Sequence, residues 1–270
     1  MLTTLARPKW VGGLALATLF AVACFFLGQW QWSRYEEKSD RNATLDRNYD
    51  ATPVPLADVV DGEGVRPSAD WSRVELVGVY DPGQLYVRNR PNDGVYGYEV
   101  LGVLRTPQDG PVVVARGWVQ NSREGAAVLP DVAPPPPGEV TVIGWVRPYE
   151  RSLGRDLPAG QVASIAAEDL TAAVGTEVAP AYVRAQAETT AAGPVQAGLV
   201  PMEAPDRSLG PHQAYALQWW LTMALGYAFV VLGVRREVRA REAERDPVAA
   251  AEAERIRTPA KVSRWDEEDS

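Results

Sequence analysis

From Ala214 to Val234 the chain runs for 21 residues without a formal charge. A helix needs ~20 apolar residues to cross the hydrocarbon core of a bilayer, so this run restricts the chain to architectures anchored in a membrane. It belongs to the stretch Pro211–Arg236, PHQAYALQWWLTMALGYAFVVLGVRR, which opens beside the only histidine of the chain, His212. It closes on Arg235, Arg236, Arg239 and Arg241. A second uncharged run, Trp10 to Trp30, is also 21 residues long and follows Arg7 and Lys9. A signal peptide is the alternative for this run, since a charged segment precedes it and Ala21-Val22-Ala23 mimics a cleavage box before Cys24. The apolar block continues through Phe25, Phe26 and Leu27, which cleavage would leave in place. A first membrane span is therefore the better reading, with Cys24 a small lipid- or helix-facing residue.

Basic residues flank the outer ends of both spans, and the positive-inside rule then places both termini in the cytoplasm. The expected organisation is a cytoplasmic N-terminus over 1–9, a transmembrane helix over 10–30 and a helical extension over 31–50. An extracytoplasmic domain over 51–211, a second transmembrane helix over 212–234 and a partly disordered cytoplasmic tail over 235–270 complete it. Trp10 is expected at the inner interface and Trp30, Trp32, Trp219 and Trp220 near the outer one, as an aromatic belt. Packing against the first span is the plainer role for Trp219 and Trp220. The location implied is the bacterial cell membrane.

The extension Gln31–Asn48 mixes charges with few helix breakers, and Glu37 stands four residues before Arg41, a favourable helical spacing. Ala51–Asp70 is rich in Pro and Gly and predicts loop. Val-, Tyr- and Trp-rich runs follow at Ser72–Tyr80, Gln84–Arg90, Tyr96–Leu104, Val112–Gln120 and Glu139–Val146, with a turn at Asp81-Pro82-Gly83. A short helix is expected over Ala166–Val174, and strands again over Ala181–Ala187 and Gln196–Met202. The fold class is thus two transmembrane α-helices flanking an extracytoplasmic all-β domain of five to seven antiparallel strands, as barrel or sandwich.

Charge narrows the function. The net charge is −8 and the pI near 4.9, which argues against nucleic acid as a partner. The stretch from Gln31 to His212 holds 25 Asp/Glu against 16 Lys/Arg, about −9, and no cysteine. There is no CxxC, P-loop or dinucleotide fingerprint, and with one histidine any triad or multi-histidine metal site would have to involve His212. An enzyme is not expected.

Four motifs stand in order along the chain. They are Leu27-Gly28-Gln29-Trp30-Gln31-Trp32-Ser33-Arg34 with Lys38; Arg88–Gly97 (RNRPNDGVYG); Ala115-Arg116-Gly117-Trp118-Val119; and His212, Tyr215, Ala216, Gln218 and Trp219. With them the chain resembles the Surfeit-locus family of cytochrome c oxidase assembly proteins, as a bacterial member. Ala115 and Gln120 depart from the family's Asn and Pro, and Pro211 from the Asn that usually precedes the histidine.

The resemblance implies an assembly factor for an aa3-type oxidase that binds haem a and passes it to the catalytic subunit. A lone histidine at a helix start is ordinarily a cap or interface residue. A neutral imidazole is also a common axial haem ligand, and His212, Tyr215 and Trp219 fall at i, i+3 and i+7 on one helix face. His212 is thus the candidate iron ligand, with Tyr215, Trp219, Gln31 and Arg34 as haem-binding candidates. A guanidinium at Arg34 would suit a propionate; Lys38 is read as a headgroup contact. The partners implied are oxidase subunit I or its assembly intermediates, haem A synthase and the bilayer. Arg116-Gly117-Trp118 reads as a core tryptophan beside a close backbone approach. Arg88 and Arg90 share a strand face, for a partner or for local acids. Two rival functions are a cofactor-free membrane chaperone that steadies the nascent oxidase subunit, and a membrane-tethered sensor or ligand-binding domain.

Overall fold

The computed structural model describes residues 2–124, 128–246 and 248. In chain order the elements are α1 (Leu2–Leu5), α2 (Pro8–Asn48), β1 (Val60–Asp61), β2 (Gly64–Val65), β3 (Arg73–Asn92), β4 (Val95–Thr106), β5 (Gly110–Gln120) and β6 (Glu139–Arg147). Then come β7 (Gln161–Val162), α3 (Ala167–Val174), β8 (Tyr182–Thr190), β9 (Gly193–Pro194) and α4 (His212–Arg245). They form two compact units, Met1–Lys38 with Leu209–Ser270, and Ser39–Ser208.

The first unit is built on α2 and α4, the two helices long and apolar enough to cross a membrane. They pack antiparallel. Small residues line the contact from α2: Gly13, Ala17, Ala21, Cys24 and Gly28 fall three or four apart, and Ala17, Ala21 and Cys24 are buried. Such a stripe lets two backbones approach closely where lipid supplies no hydrophobic drive. The large apolar side chains Leu16, Leu19, Phe26, Leu221 and Phe229 point away and are exposed. At each end a tryptophan from one helix lies on a glycine of the other. A Cβ on Gly233 would stand 2.2 Å from Trp10, and one on Gly28 would stand 2.2 Å from Nε1 of Trp220. At the Trp10 end Glu237 gathers Arg7 at 2.9 Å and Lys9 at 2.8 Å, and accepts a hydrogen bond from the Trp10 indole. α4 extends past the expected span to Arg245, and the rest of the tail, apart from Asp246 and Val248, lies outside the described residues.

The second unit decides between barrel and sandwich. β3 pairs antiparallel with β6 through its first half and with β4 through its second. β4 pairs with β5, β5 runs parallel to β8, and β8 pairs with β6. The order β3-β4-β5-β8-β6-β3 closes on itself, which leaves no open edge in the ring. Two pairings, β5 with β8 in the ring and the short β7 with β3, are parallel and depart from the antiparallel expectation. Inward residues Val74, Leu76, Leu104, Val112, Val114, Val140, Val142 and Val183 form the larger core cluster. Leu170 of α3 packs in a second, with Val87, Leu101, Val113 and Ile165.

Three sequence expectations are corrected. The turn at Asp81-Pro82-Gly83 is absent: β3 runs through it, and the irregularity is a register shift between Tyr80 and Gln84. Ladder pairing on both sides holds the strand where local turn chemistry alone would break it. Gln196–Met202 forms no strand and contributes only a single bridge, Val200 to Trp118. Ala51–Asp70 is not wholly loop, since β1 and β2 pair within it. The end of α2 belongs to this unit. There Tyr49 stacks on Trp145 at 4.4 Å, with Leu45 and Trp71 buried beside them.

Burial in the barrel raises the phenols of Tyr80, Tyr149 and Tyr182, and Tyr182 is pushed up to about 12, with the nearby Glu99 carboxylate adding to it. An unfolded phenol titrates near ~10. Below pH ~10 both states keep the proton, so the stabilisation is complete there. It is lost as pH rises through the folded pKa. Two units at ~1.4 kcal/mol each make a loss of about 3 kcal/mol from Tyr182 alone. Alkaline titration followed by tyrosinate absorbance and circular dichroism should show a late group of phenols ionising together with unfolding. A single wave near pH 10 with the fold intact would contradict this.

Candidate functional site

The wrap of α4 against α2 at their Trp220 end determines where His212 sits. Gly28, bare beneath the Trp220 ring, is followed one turn later on the same face by Gln31. Trp32 lies 5.8 Å from Trp220, ring to ring. Two turns before Trp220, at the first residue of α4, His212 is half-buried and its Nδ1 lies 2.8 Å from Oε1 of Gln31. Since the amide oxygen only accepts, Nδ1 donates to it, and in the neutral imidazole Nε2 is then the nitrogen with the lone pair.

Gly210 completes this corner. Its φ is +64°, and a Cβ there would stand 3.3 Å from Cδ2 and 3.5 Å from Nε2 of His212, and 3.4 Å from the ammonium of Lys38. A side chain at Gly210 would thus crowd both the imidazole edge and the lysine cation, which pack against the bare backbone. Pro211 serves as the helix cap, and its carbonyl accepts from the backbone N–H of Tyr215 at 3.0 Å.

The structure brings Gln31 and His212 together and does not bring the other candidates into hydrogen-bond contact with them. Tyr215 is 46% exposed, Trp219 is half-buried, and Arg34 is exposed and paired with Glu37 at 2.8 Å. Lys38, assigned to headgroups by sequence, is the cation beside the histidine. The signal for it was available: 31 and 38 are two helical turns apart.

The other motifs converge inside the barrel. Trp118 is buried over Gly97, and its indole donates to the carbonyl of Arg90 at 2.8 Å. Arg116 is not a surface residue. Its Nε and Nη2 grip Glu188 at 2.9 and 2.8 Å, its Nη1 donates to Gln84 at 3.0 Å, and Tyr80 donates to Glu188 at 2.8 Å. Sequence reasoning missed Glu188 because nothing local ties it to a residue 72 positions away. Arg90 meets local acids, Glu150 at 2.5 Å and Glu99 at 3.4 Å. Glu99 is nearly enclosed, and burial raises its pKa against the pull of Arg90 and Arg184. Arg88 and Arg90 line the same cleft, as their spacing implies, although Arg88 and Asn89 together oppose Tyr98 in a β-bulge between them.

Comparison with known proteins follows the same residues. The chain is 32% identical over 98 residues to a SURF1-like protein of Rickettsia felis, covering 35% of this chain and 41% of that one. It is 27% identical over 139 residues to a SURF1-like protein of Rickettsia bellii, covering 50% and 53%. The matched parts span about half or less of those relatives' length. The sequence profile of the SURF1 family matches residues 18–224, from the small-residue face of α2 through the first turns of α4 and across the whole barrel. The chain belongs to the SURF1 family.

Proposed function

We propose that this chain is a non-enzymatic assembly factor for an aa3-type cytochrome c oxidase, which receives haem a beside His212 and passes it to the nascent catalytic subunit. Its family is one of oxidase assembly factors. In this reading α2 and α4 span the cell membrane with both termini cytoplasmic and the barrel outside, and oxidase subunit I and haem A synthase are the partners.

The observation that carries the reading is the Gln31–His212 hydrogen bond. An iron-ligating histidine ordinarily gives its other ring N–H to an acceptor, which fixes tautomer and orientation. Gln31 supplies that acceptor at 2.8 Å. Nε2 would be the ligand atom, with the side-chain-free Gly210 beside it. Lys38, beside Gly210, would pair with a propionate, whereas Arg34 is engaged by Glu37. Tyr215 and Trp219 offer aromatic surface further along α4. His212 would hold the haem iron reversibly through its imidazole, the iron supplying the Lewis acidity for that bond. A single neutral ligand suits a carrier, which must also let go.

The test is an absorption spectrum of the detergent-purified chain from cells that make haem A, beside His212→Ala and Gln31→Leu. A Soret band is expected that His212→Ala abolishes and Gln31→Leu weakens by ~10–100-fold in haem affinity, the usual cost of losing such a partner. A colourless protein that still co-purifies with oxidase subunits would favour the cofactor-free chaperone. Equal colour in wild type and His212→Ala would remove the histidine from the site.

A further inference from the structure

The helix pair is hollow on one side, at the end away from His212. Between α2 and α4 runs an open groove of about 500 Å³, apolar apart from Thr222. Leu16, Phe20 and Phe229 flank it over Gly13, Ala17 and Gly226. The small residues are why the space exists. A Cβ on Gly226 would stand 3.3 Å from Cδ1 of Phe20 and 3.6 Å from Cβ of Ala17. Leu16 and Phe229 are 68% and 72% exposed along its rim. Gly13 marks the end toward Trp10, whose ring lies 4.0 Å from where a Cβ on Gly13 would be.

Cations stand at that end. Lys9, Gly13, Leu16 and Phe20 fall at i, i+4, i+7 and i+11, so Lys9 is on the groove side of α2. Arg236 stands likewise seven residues after Phe229 on α4. It is exposed and forms no ion pair among the described residues. Lys9 is paired, but with a carboxylate that Arg7 and Arg241 share: Glu237 alone serves all three. One negative charge among four cations leaves an excess of about three. Lys9 is still 62% exposed at its side chain. The next acids along α4, Glu242 and Glu244, lie ~8 and ~11 Å beyond Glu237. Depth agrees with charge. Lys9 precedes Gly13 by four residues, or ~6 Å of helix, so the cations lie just beyond the point where the groove begins.

We propose that this groove holds an acyl chain of an anionic phospholipid, whose phosphate is received by Lys9 and Arg236. An apolar groove alone would accept any acyl chain or another helix. The uncompensated charge at its end selects an amphiphile with a negative head, and basic pockets between membrane helices bind such headgroups. The guanidinium fork suits phosphate oxygens bidentately, and the ammonium adds a second charge. The proposal rests on α2 and α4 crossing a bilayer and on nothing that concerns haem.

The experiment is native mass spectrometry of the delipidated full chain in detergent, titrated with dioleoyl phosphatidylglycerol and with dioleoyl phosphatidylcholine. One phosphatidylglycerol per chain is expected, bound about tenfold tighter than phosphatidylcholine. Arg236→Gln should weaken it about fivefold and Lys9→Gln/Arg236→Gln about 25-fold, from ~1 kcal/mol per cation. Arg235→Gln is the control: it removes an exposed arginine from the same turn, ~100° further round the helix and away from the groove. Its affinity should stay within about twofold of wild type. Gly226→Leu keeps every charge and fills the groove, and should also weaken binding by about tenfold or more; Phe20, at the rim, can yield to it. Circular dichroism checks that each variant is folded. Equal affinity for the two lipids would overturn the proposal. So would an equal loss in Arg235→Gln and Arg236→Gln, which would reduce the effect to diffuse attraction by a basic surface. Undiminished binding in Gly226→Leu would leave the groove to another helix and overturn it as well. A chain that stays soluble without detergent would remove the membrane reading and this proposal with it, whereas failure in the lipid titration alone leaves that reading standing.

Discussion

Replacing Arg116 by methionine should cost the barrel 3–5 kcal/mol, the usual effect of removing one partner from a buried ion pair; ~3–5 kcal/mol is a large part of the ~5–15 kcal/mol that holds a domain folded. Its side chain is fully buried and that of Glu188 is 7% exposed. Without the guanidinium, Glu188 keeps its charge in a place water does not reach, and Gln84 and Tyr80 lose the geometry that the network imposes. The double variant Arg116→Met/Glu188→Met should recover most of the loss, because no charge is then left stranded and methionine fills comparable volume. Urea unfolding of the detergent-solubilised chain, followed by tryptophan fluorescence, measures both. A loss under 1 kcal/mol in the single variant, or a double variant as unstable as the single, would refute the assignment. The Arg116-Gly117-Trp118 motif then belongs to barrel stability, and haem signal per folded molecule should not change.

That division follows what a sequence can hold. Spans and strands are written in local pattern. The uncharged runs gave α2 and α4, and alternation over Ser72–Tyr80 and Val112–Gln120 gave parts of β3 and β5. Closure of the barrel was not legible, because it rests on the β5–β8 pairing between segments separated by β6 and α3. The same distance hid Glu188 from Arg116. The bulge at Arg88-Asn89 was invisible for another reason: period-2 reasoning assumes an unbroken ladder, and an inserted residue leaves no mark in the alternation itself. His212 was found because it is the only histidine in the chain. Its partner Gln31 was named through the motif, while the contact between them depends on how two helices pack. The stripe Gly13, Ala17, Ala21, Cys24 and Gly28 that sets this packing was present as a three-and-four spacing of small residues. Their hydropathy contributes to the span without announcing the face.

Gly28 links that packing to the site. Leucine at this position would place its Cβ 2.2 Å from Nε1 and 2.5 Å from Cδ1 of Trp220. The indole is a rigid ring wedged between helices beside Trp32, so α4 must shift outward or turn. Overpacking of this kind costs ~1–3 kcal/mol in a well-packed interior. The geometric consequence exceeds the energetic one, because Gln31 sits one turn from Gly28 and His212 two turns from Trp220. A displacement of 1 Å stretches the 2.8 Å Nδ1–Oε1 contact beyond hydrogen-bond range. Gly28→Leu should therefore behave as Gln31→Leu does, weakening haem by tenfold or more with His212 intact. Disulfide trapping supplies a readout independent of haem. Cysteines at positions 31 and 212, in a chain with Cys24 replaced by alanine, should cross-link readily when Gly28 is present and poorly when leucine replaces it. Gly28→Ala should fall between the two. Unaltered cross-linking in Gly28→Leu would show that the Trp220 ring yields locally, and that the glycine does not position the histidine.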